Sequence, residues 1–201
     1  GIRAVAGFLP DITQVAVFDT AFYFDLPEVA WIYALPKKLA EELKIKRYGF
    51  HGISHRYAME EAAKGSGKPI NKLNAITCHL GGGWSATAIT AGKPVDTSMG
   101  WTPLEGLVMM TRCGDLDPGI VVELFKKEGE NLYNLLNFES GIKGLTGVND
   151  FQELLKRVSL GNREAKLAFD LAIYRLVKYI GAYFAVLEGK IDAIVFTGAI
   201  G

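Results

Sequence analysis

The chain has 201 residues, 49% of them hydrophobic, with 22 basic side chains balanced by 22 acidic ones. That length and apolar content suit one large domain, or one and a half small ones, with a sizeable core, and exclude disorder as the default. Without a basic stripe, nucleic acid and anionic membrane surfaces are not expected partners; no run is long enough to span a bilayer, and no basic-then-apolar leader opens the sequence.

In chain order, GIRAVAGFLPD reads as the tail of a helix, and VAVFD (15–19) as a short buried strand ending in an aspartate. Residues 28–45 hold a helical pattern broken or started at Pro36. RYGFHGISH (47–55) leads into a helix, RYAMEEAAKG, which Gly65 is expected to cap. AITCH (75–79) is a second buried strand followed by the loop LGGG. WSATAIT (84–90) and KPVDT (93–97) alternate around Ala91-Gly92 and predict a β-hairpin. Helices are expected near 118–128, 130–137 and 149–158, and the longest over 163–188. In that last helix Ala168, Leu171, Ala172, Leu176, Tyr179 and Tyr183 fall at helical spacing within a wide stripe, which predicts burial on more than one side, in the core or at a subunit interface. IDAIVF (191–196) is another buried strand. Strands, hairpin and helices mixed in this way predict an α/β fold with a mixed sheet and flanking helices. The opening without methionine and the stop at the glycine turn VFTGAIG read as a piece cut from a longer protein.

The stretch 96–119, DTSMGWTPLEGLVMMTRCGDLDPG, is glycine-rich and turn-forming with almost no amphipathic period. A surface loop of that length is uncommon unless it is functional. It carries Arg112, whose planar fork of donors suits phosphate or carboxylate oxygens, together with Asp96, Glu105, Asp115 and Asp117. An anion site is one reading; an Arg112–Asp115 structural pair is the other.

All three histidines fall in two motifs, His51 and His55 in HGISH and His79 in HLGGG. The pair four apart lacks the glutamate of a zinc-binding HExxH pattern. Gly52 places His51 on a turn before the helix, open to a catalytic role, while His55 is expected to bond backbone near the helix start. Gly81, Gly82 and Gly83 directly follow a strand, and such a run lets backbone amides approach an anion; a tight hairpin would need the same freedom. The terminal TGAIG repeats the arrangement, and two such loops raise the prospect of a nucleotide or polyphosphate site. Asp19 at a strand end suits orienting a nucleophile or holding a metal's water, or a simple turn. Trp31 is expected in the core, whereas Trp84 and Trp101 stand beside the glycine loop and the anion loop as partly exposed pocket residues. Cys78 and Cys113, far apart and without CxxC spacing, fit small buried thiols in a reducing, cytoplasmic setting.

Six segments occur in order: VFDTAF (17–22), RYGFHGISH (47–55), HLGGGWS (79–85), DTSMGWTPLEGL (96–107), TRCGDLDPG (111–119) and FTGAIG (196–201). Together they closely resemble the acetate/propionate kinase family of the acetate and sugar kinase–Hsp70–actin superfamily. The resemblance implies an actin-like ATPase (ribonuclease H-like) fold, incomplete here, with residues 1–20 ending a first domain and 21–201 forming most of a second. It implies phosphoryl transfer between ATP and a short-chain carboxylate, acetate or propionate, giving an acyl phosphate, with Mg²⁺ and in a homodimer. Its motifs assign the active-site aspartate to Asp19 and transition-state stabilisation to His51 and Arg112. ATP phosphates fall to His79, Leu80, Gly81, Gly82 and Gly83, the adenosine side to Asp150, Phe151 and Gln152, and the terminal nucleotide loop to Gly198, Ala199, Ile200 and Gly201. No metal-ligating side chain is assigned. This sequence departs from the pattern at Tyr23, Gly82, Met109-Met110, Gln152 and Ala199, mostly on the nucleotide side. The 201 residues alone are expected to be inactive or nearly so, and the rival reading is a degenerate actin-like domain that binds nucleotide or a partner without turnover.

Overall fold

A computed structural model describes residues 1–201. Four strands, β1 (Ala75–Leu80), β2 (Trp84–Thr90), β3 (Lys93–Thr97) and β4 (Ala193–Thr197), form one sheet in the order β3-β2-β1-β4. The first three are antiparallel neighbours, and β4 lies parallel to β1, so the sheet is mixed as expected. The β2–β3 turn puts Ala91 (φ 50°) and Gly92 (φ 74°) both in the left-handed region, the geometry that matches the twist of a two-residue hairpin.

Nine helices accompany this sheet: α1 (Ile2–Phe8), α2 (Glu28–Trp31), α3 (Lys37–Glu42), α4 (Gly52–Ser66), α5 (Pro118–Glu128), α6 (Leu132–Phe138), α7 (Gly141–Thr146), α8 (Phe151–Ser159) and α9 (Arg163–Val186). The later ones begin with local caps. Asp117 accepts from the Gly119 amide with Pro118 following, Asp150 from Glu153 and Asn162 from Ala165. α4 ends at Gly67, not Gly65, because Gly67 is the residue in the left-handed conformation (φ 67°) a helix terminus needs.

The two faces of the sheet differ. On one, Ile76, Cys78, Leu80, Trp84, Ala86 and Ala88 form the main core with Leu154, Ala165, Ala172, Leu176 and Tyr183 from α8 and α9. On the other, beneath α4, Leu73, Ala75 and Ile89 pack with Met59 and Ala63 in a smaller cluster, and the remaining positions are polar: Thr77, His79, Ser85, Thr87 and Thr97.

Five expectations need correction. Residues 15–19 form no strand, and Val15, Val17 and Phe18 are exposed, because no strand of this chain lies alongside to accept their backbone bonds. Trp84 is fully buried in the core, its ring against Phe151 and its indole N–H on the Gly81 carbonyl at 2.9 Å. Helix α9 buries one stripe, Ala165, Ala168, Ala172, Leu176 and Tyr183, while Leu167, Tyr174, Val177 and Phe184 of the wide stripe face outward. Residues 98–117 form no helix or strand, yet they run through the interior: Met99, Leu107 and Met109 are wholly buried. The segment can do so because its backbone is paired, Ser98 N–H to Ala86, Tyr48 N–H to Gly100, Asp115 N–H to Gly106 and Ile142 N–H to Met109. Trp31, expected in the core, is half-buried beneath the Lys46 ammonium.

Candidate active site

Asp19 and the start of α4 are built around each other. His51 sits in the left-handed region (φ 56°) and turns the chain into the helix. Its amide donates to Asp19 Oδ2 at 2.6 Å, the Ile53 amide to Oδ1 at 3.4 Å, and the Gly52 amide to the Asp19 carbonyl at 2.9 Å. A carboxylate at this end satisfies amides that have no partner within the helix and complements its dipole. Only glycine fits at position 52, where a Cβ would stand 2.2 Å from the Asp19 carbonyl oxygen. Tyr23 anchors the same turn from below, donating to the Phe50 carbonyl at 3.0 Å, while its hydroxyl also meets Thr87 Oγ1 at 2.9 Å.

The three imidazoles share the polar face of the sheet. His51 Nδ1 lies 2.8 Å from Ser85 Oγ, and His55 Nε2 lies 2.7 Å from the same oxygen. His55 Nδ1 contacts Thr77 Oγ1 at 2.7 Å, so this buried histidine bonds side chains and not the backbone expected for it. His79 Nδ1 meets Ser54 Oγ at 2.8 Å, and its ring stands 4.2 Å from that of His51. Burial, reinforced by the neighbouring His79 and Arg112 and opposed by Asp19, pushes the His51 pKa down to about 4. Burial lowers those of His55 and His79 as well. All three rings are therefore neutral near pH 7.

Arg112 approaches from the other side. It makes no ion pair; its Nη1 donates to the Pro103 carbonyl at 3.1 Å and reaches Met109 Sδ at 3.5 Å. The turn carrying it is clamped by the α6–α7 junction, with the Met109 amide on the Arg112 carbonyl, the Ser140 amide on the Thr111 carbonyl and the Cys113 amide on the Leu136 carbonyl. The Arg112–Asp115 pair is not formed. Asp115 instead accepts from the Gly106 amide at 2.8 Å and the Tyr179 hydroxyl at 2.7 Å. Glu105 is bound by Arg47 at 2.6 Å and by the Tyr33 hydroxyl, Asp96 accepts from Thr97, and Asp117 caps α5. The carboxylates of the long segment thus hold it in place, and Arg112 alone among its charged residues turns toward the histidines.

Gly83 is where these groups meet. A Cβ there would lie 3.0 Å from Arg112 Nη1 and 3.2 Å from His51 Nε2. A Cβ on Gly81 would lie 3.2 Å from His79 Nε2, whereas Gly82 borders open space. The Gly82 and Gly83 amides donate to no group of the chain. Beside them, the Ile200 amide donates to the Leu80 carbonyl at 2.9 Å, and a Cβ on Gly198 would stand 2.5 Å from that oxygen. The segments His79–Gly83 and Gly198–Gly201 therefore lie together at the carboxyl ends of the parallel pair β1 and β4, the end where open α/β sheets bind ligands. The arrangement offers one guanidinium, one neutral imidazole and free amides around one point, a setting for an anion that gains charge.

Asp150, Phe151 and Gln152 are not drawn into that cluster by hydrogen bonds. Asp150 spends its carboxylate on the α8 cap, Phe151 packs between Trp84 and Phe169, and Gln152 is exposed. Trp101 is partly exposed and lines an apolar pocket with Tyr33, Leu104 and Leu116. Reading the sequence missed Ser85, Thr77 and Ser54. For Thr77 and Ser85 the signal was there in the hydroxyls of AITCH, read as a buried strand, and WSATAIT, read as an alternating hairpin strand; Ser54, on α4, carried none.

The acetokinase family model matches residues 1–201. Over 204 aligned residues the chain is 52% identical to acetate kinase of Helicobacter acinonychis, covering all of this chain and 51% of that protein. Its structure superposes on the crystal structure of Porphyromonas gingivalis acetate kinase with a TM-score of 0.95 at 43% identity, covering 100% of this chain and 51% of the other. A propionate kinase from Francisella tularensis gives 0.94 at 42%, covering 100% and 52%. The α/β architecture with its mixed sheet is that of these kinases, the actin-like ATPase fold, and the chain spans about half the length of the relatives it matches.

Proposed function

The chain belongs to the acetokinase family, and from that premise we propose that the protein transfers a phosphoryl group between ATP and a short-chain carboxylate, acetate or propionate, to give an acyl phosphate. The observation that carries the proposal is the convergence of Arg112 Nη1 and His51 Nε2 on Gly83, beside two unpaired amides. A phosphoryl group in flight through a loose transition state spreads charge over three equatorial oxygens, and the protein's task is to position and stabilise it. Arg112 supplies full positive charge there, held ready because no carboxylate of the chain neutralises it. His51 supplies an uncharged contact, and the Gly82 and Gly83 amides supply fixed dipoles. His79 and the turn Gly198–Gly201 border the same space and suit the rest of the nucleotide's phosphates, with Asp150 to Gln152 proposed further out toward adenosine.

Mg²⁺ takes oxygen ligands and commonly binds through one or two carboxylates plus substrate phosphates. No three acidic, histidine or cysteine side chains are arranged to hold a metal ion together, but Asp19, oriented by two amides next to His51, fits such a one-carboxylate site. The ion would neutralise phosphate charge; Asp19 would hold it or its water and keep the entering carboxylate in line. With the same reading go a homodimer, to which the outward apolar stripe of α9 offers a face, and a division of the chain at residues 1–20 and 21–201. No helix is long and apolar enough to cross a membrane.

Hydroxamate trapping of acyl phosphate in the protein at the full length of its relatives tests this, with ATP or pyrophosphate as donor and acetate or propionate as acceptor. Turnover that Arg112→Ala abolishes is the expected result. A folded protein silent with every donor would overturn it and leave a domain that binds nucleotide or a partner without turnover.

A further inference from the structure

The contacts among Thr77, His55, Ser85 and His51 form a chain with a direction. Thr77 Oγ1 is completely buried, and its sole hydrogen-bond partner is His55 Nδ1. Ser85 Oγ, also completely buried, contacts only His55 Nε2 and His51 Nδ1. Each hydroxyl carries one proton and each neutral imidazole one N–H, so the chain can be filled in two ways. In the first, Thr77 donates to His55 Nδ1, His55 Nε2–H donates to Ser85, and Ser85 donates to His51 Nδ1. Every buried donor then has an acceptor, and the proton of His51 must sit on Nε2. In the second, all three bonds reverse; the Thr77 hydroxyl proton then has no acceptor inside the protein, which buried donors rarely tolerate. Thr77 therefore sets the polarity of the whole chain.

We propose that Thr77, His55 and Ser85 are positioning residues that form a one-way hydrogen-bond relay, holding His51 as the Nε2–H tautomer so that it presents a neutral N–H donor at Gly83. The assignment rests on the phosphotransfer reading above only for its purpose. In the reverse state His51 would turn a lone pair toward the phosphoryl oxygens beside Arg112 and repel them. The titratable groups facing His51 are Asp19, His79, Arg112 and, through Ser85, His55. None of them bonds its Nδ1 or Nε2, so Ser85 alone fixes the ring's proton.

Long-range ¹⁵N–¹H correlation spectra of the histidines, recorded on the whole protein near pH 7, read the tautomers directly. The expected result is an acceptor-type Nδ1 and a protonated Nε2 in both His51 and His55. A protonated Nδ1 on His51 would overturn the relay. Thr77→Val keeps the shape but removes the donor, and Thr77→Ser keeps the donor. The valine variant is expected to show a mixture of His51 tautomers, and kcat lower by about tenfold at KM values within twofold. The serine variant should stay close to the parent in both. Unchanged His51 tautomers in Thr77→Val would show Thr77 to be packing alone. Should the parent protein show no phosphotransfer, the tautomer spectra still decide the relay, so the two failures are separable.

Discussion

Arg112 and His51 come from segments 61 positions apart, yet their Nη1 and Nε2 atoms lie 3.0 and 3.2 Å from the single point a Cβ on Gly83 would occupy. Filling that point should therefore remove the site without unfolding the protein. Gly83→Ala is expected to lower kcat at least a hundredfold, comparable to losing a preorganised donor, while the urea midpoint stays near that of the parent. A Gly83→Ala enzyme with normal turnover would place the transferred group elsewhere.

Arg112→Lys separates charge from geometry. Lysine keeps the charge but loses the planar guanidinium whose Nη1 is held on the Pro103 carbonyl while it faces Gly83. A drop in kcat of about 10²-fold with a smaller change in KM is expected, measured by acyl-phosphate formation. Activity retained by lysine would mean that charge alone suffices.

Gly52→Ala is expected to act on stability. Its methyl group would meet the Asp19 carbonyl oxygen at 2.2 Å, a backbone atom that cannot swing aside. Overpacking of this kind costs about 2 kcal/mol or more, readable by urea unfolding, and it should displace Asp19 from the His51 amide and lower kcat together with it. Unaltered stability would show that the 17–20 turn is free to move.

Acid should destabilise the fold earlier than carboxylate titration alone predicts. The unfolded chain protonates its histidines near pH 6.5, whereas the folded His51 resists until about pH 4 and His55 and His79 are shifted the same way. In that window the unfolded state binds more protons, so stability is intact above pH 6.5 and falls as pH drops. Each such histidine contributes a slope of about 1.4 kcal/mol per pH unit. Urea unfolding between pH 7 and 5 is expected to show more than one histidine's slope; a flat profile would mean the rings are charged in the folded protein.

Glu105→Gln tests how the long segment is held. Arg47 bonds Glu105 at 2.6 Å, and the same guanidinium donates to the Ala30 and Thr97 carbonyls, tying α2, β3 and residues 98–107 together. The pair is mostly buried, with Arg47 16% and Glu105 31% exposed. Loss of the carboxylate charge should cost about 2 kcal/mol, seen as a lower unfolding midpoint with the m-value unchanged.

Much of this was legible in the sequence because local chemistry decided it. Ala91-Gly92 dictates a hairpin, Asp117-Pro118 starts a helix, and a glycine run after the strand AITCH leaves free amides. What failed depended on neighbours. VAVFD has the composition of a buried strand but no adjacent strand in this chain, so its side chains face outward. Residues 98–117 have no periodicity to read, and their burial follows from amides and carbonyls supplied by β2, the 47–50 turn and the α6–α7 junction. In the site, the glycines, Asp19, His51 and Arg112 stood out in recognisable motifs. Ser85 and Thr77 did not, because alternating hydroxyls mark a polar sheet face without naming the rings that lie opposite it.

The polar underside of α4 has a mechanical consequence. An apolar helix–sheet contact is held by burial, which has no direction of its own. Here Ser54, His55 and His51 are pinned to His79, Thr77 and Ser85 by directional bonds. Moving α4 along the sheet would break all of these at once, and the His55, Thr77 and Ser85 partners are completely buried. The helix and its sheet thus behave as an anvil, a fixed block that holds Asp19, His51 and His79 in constant relation to one another.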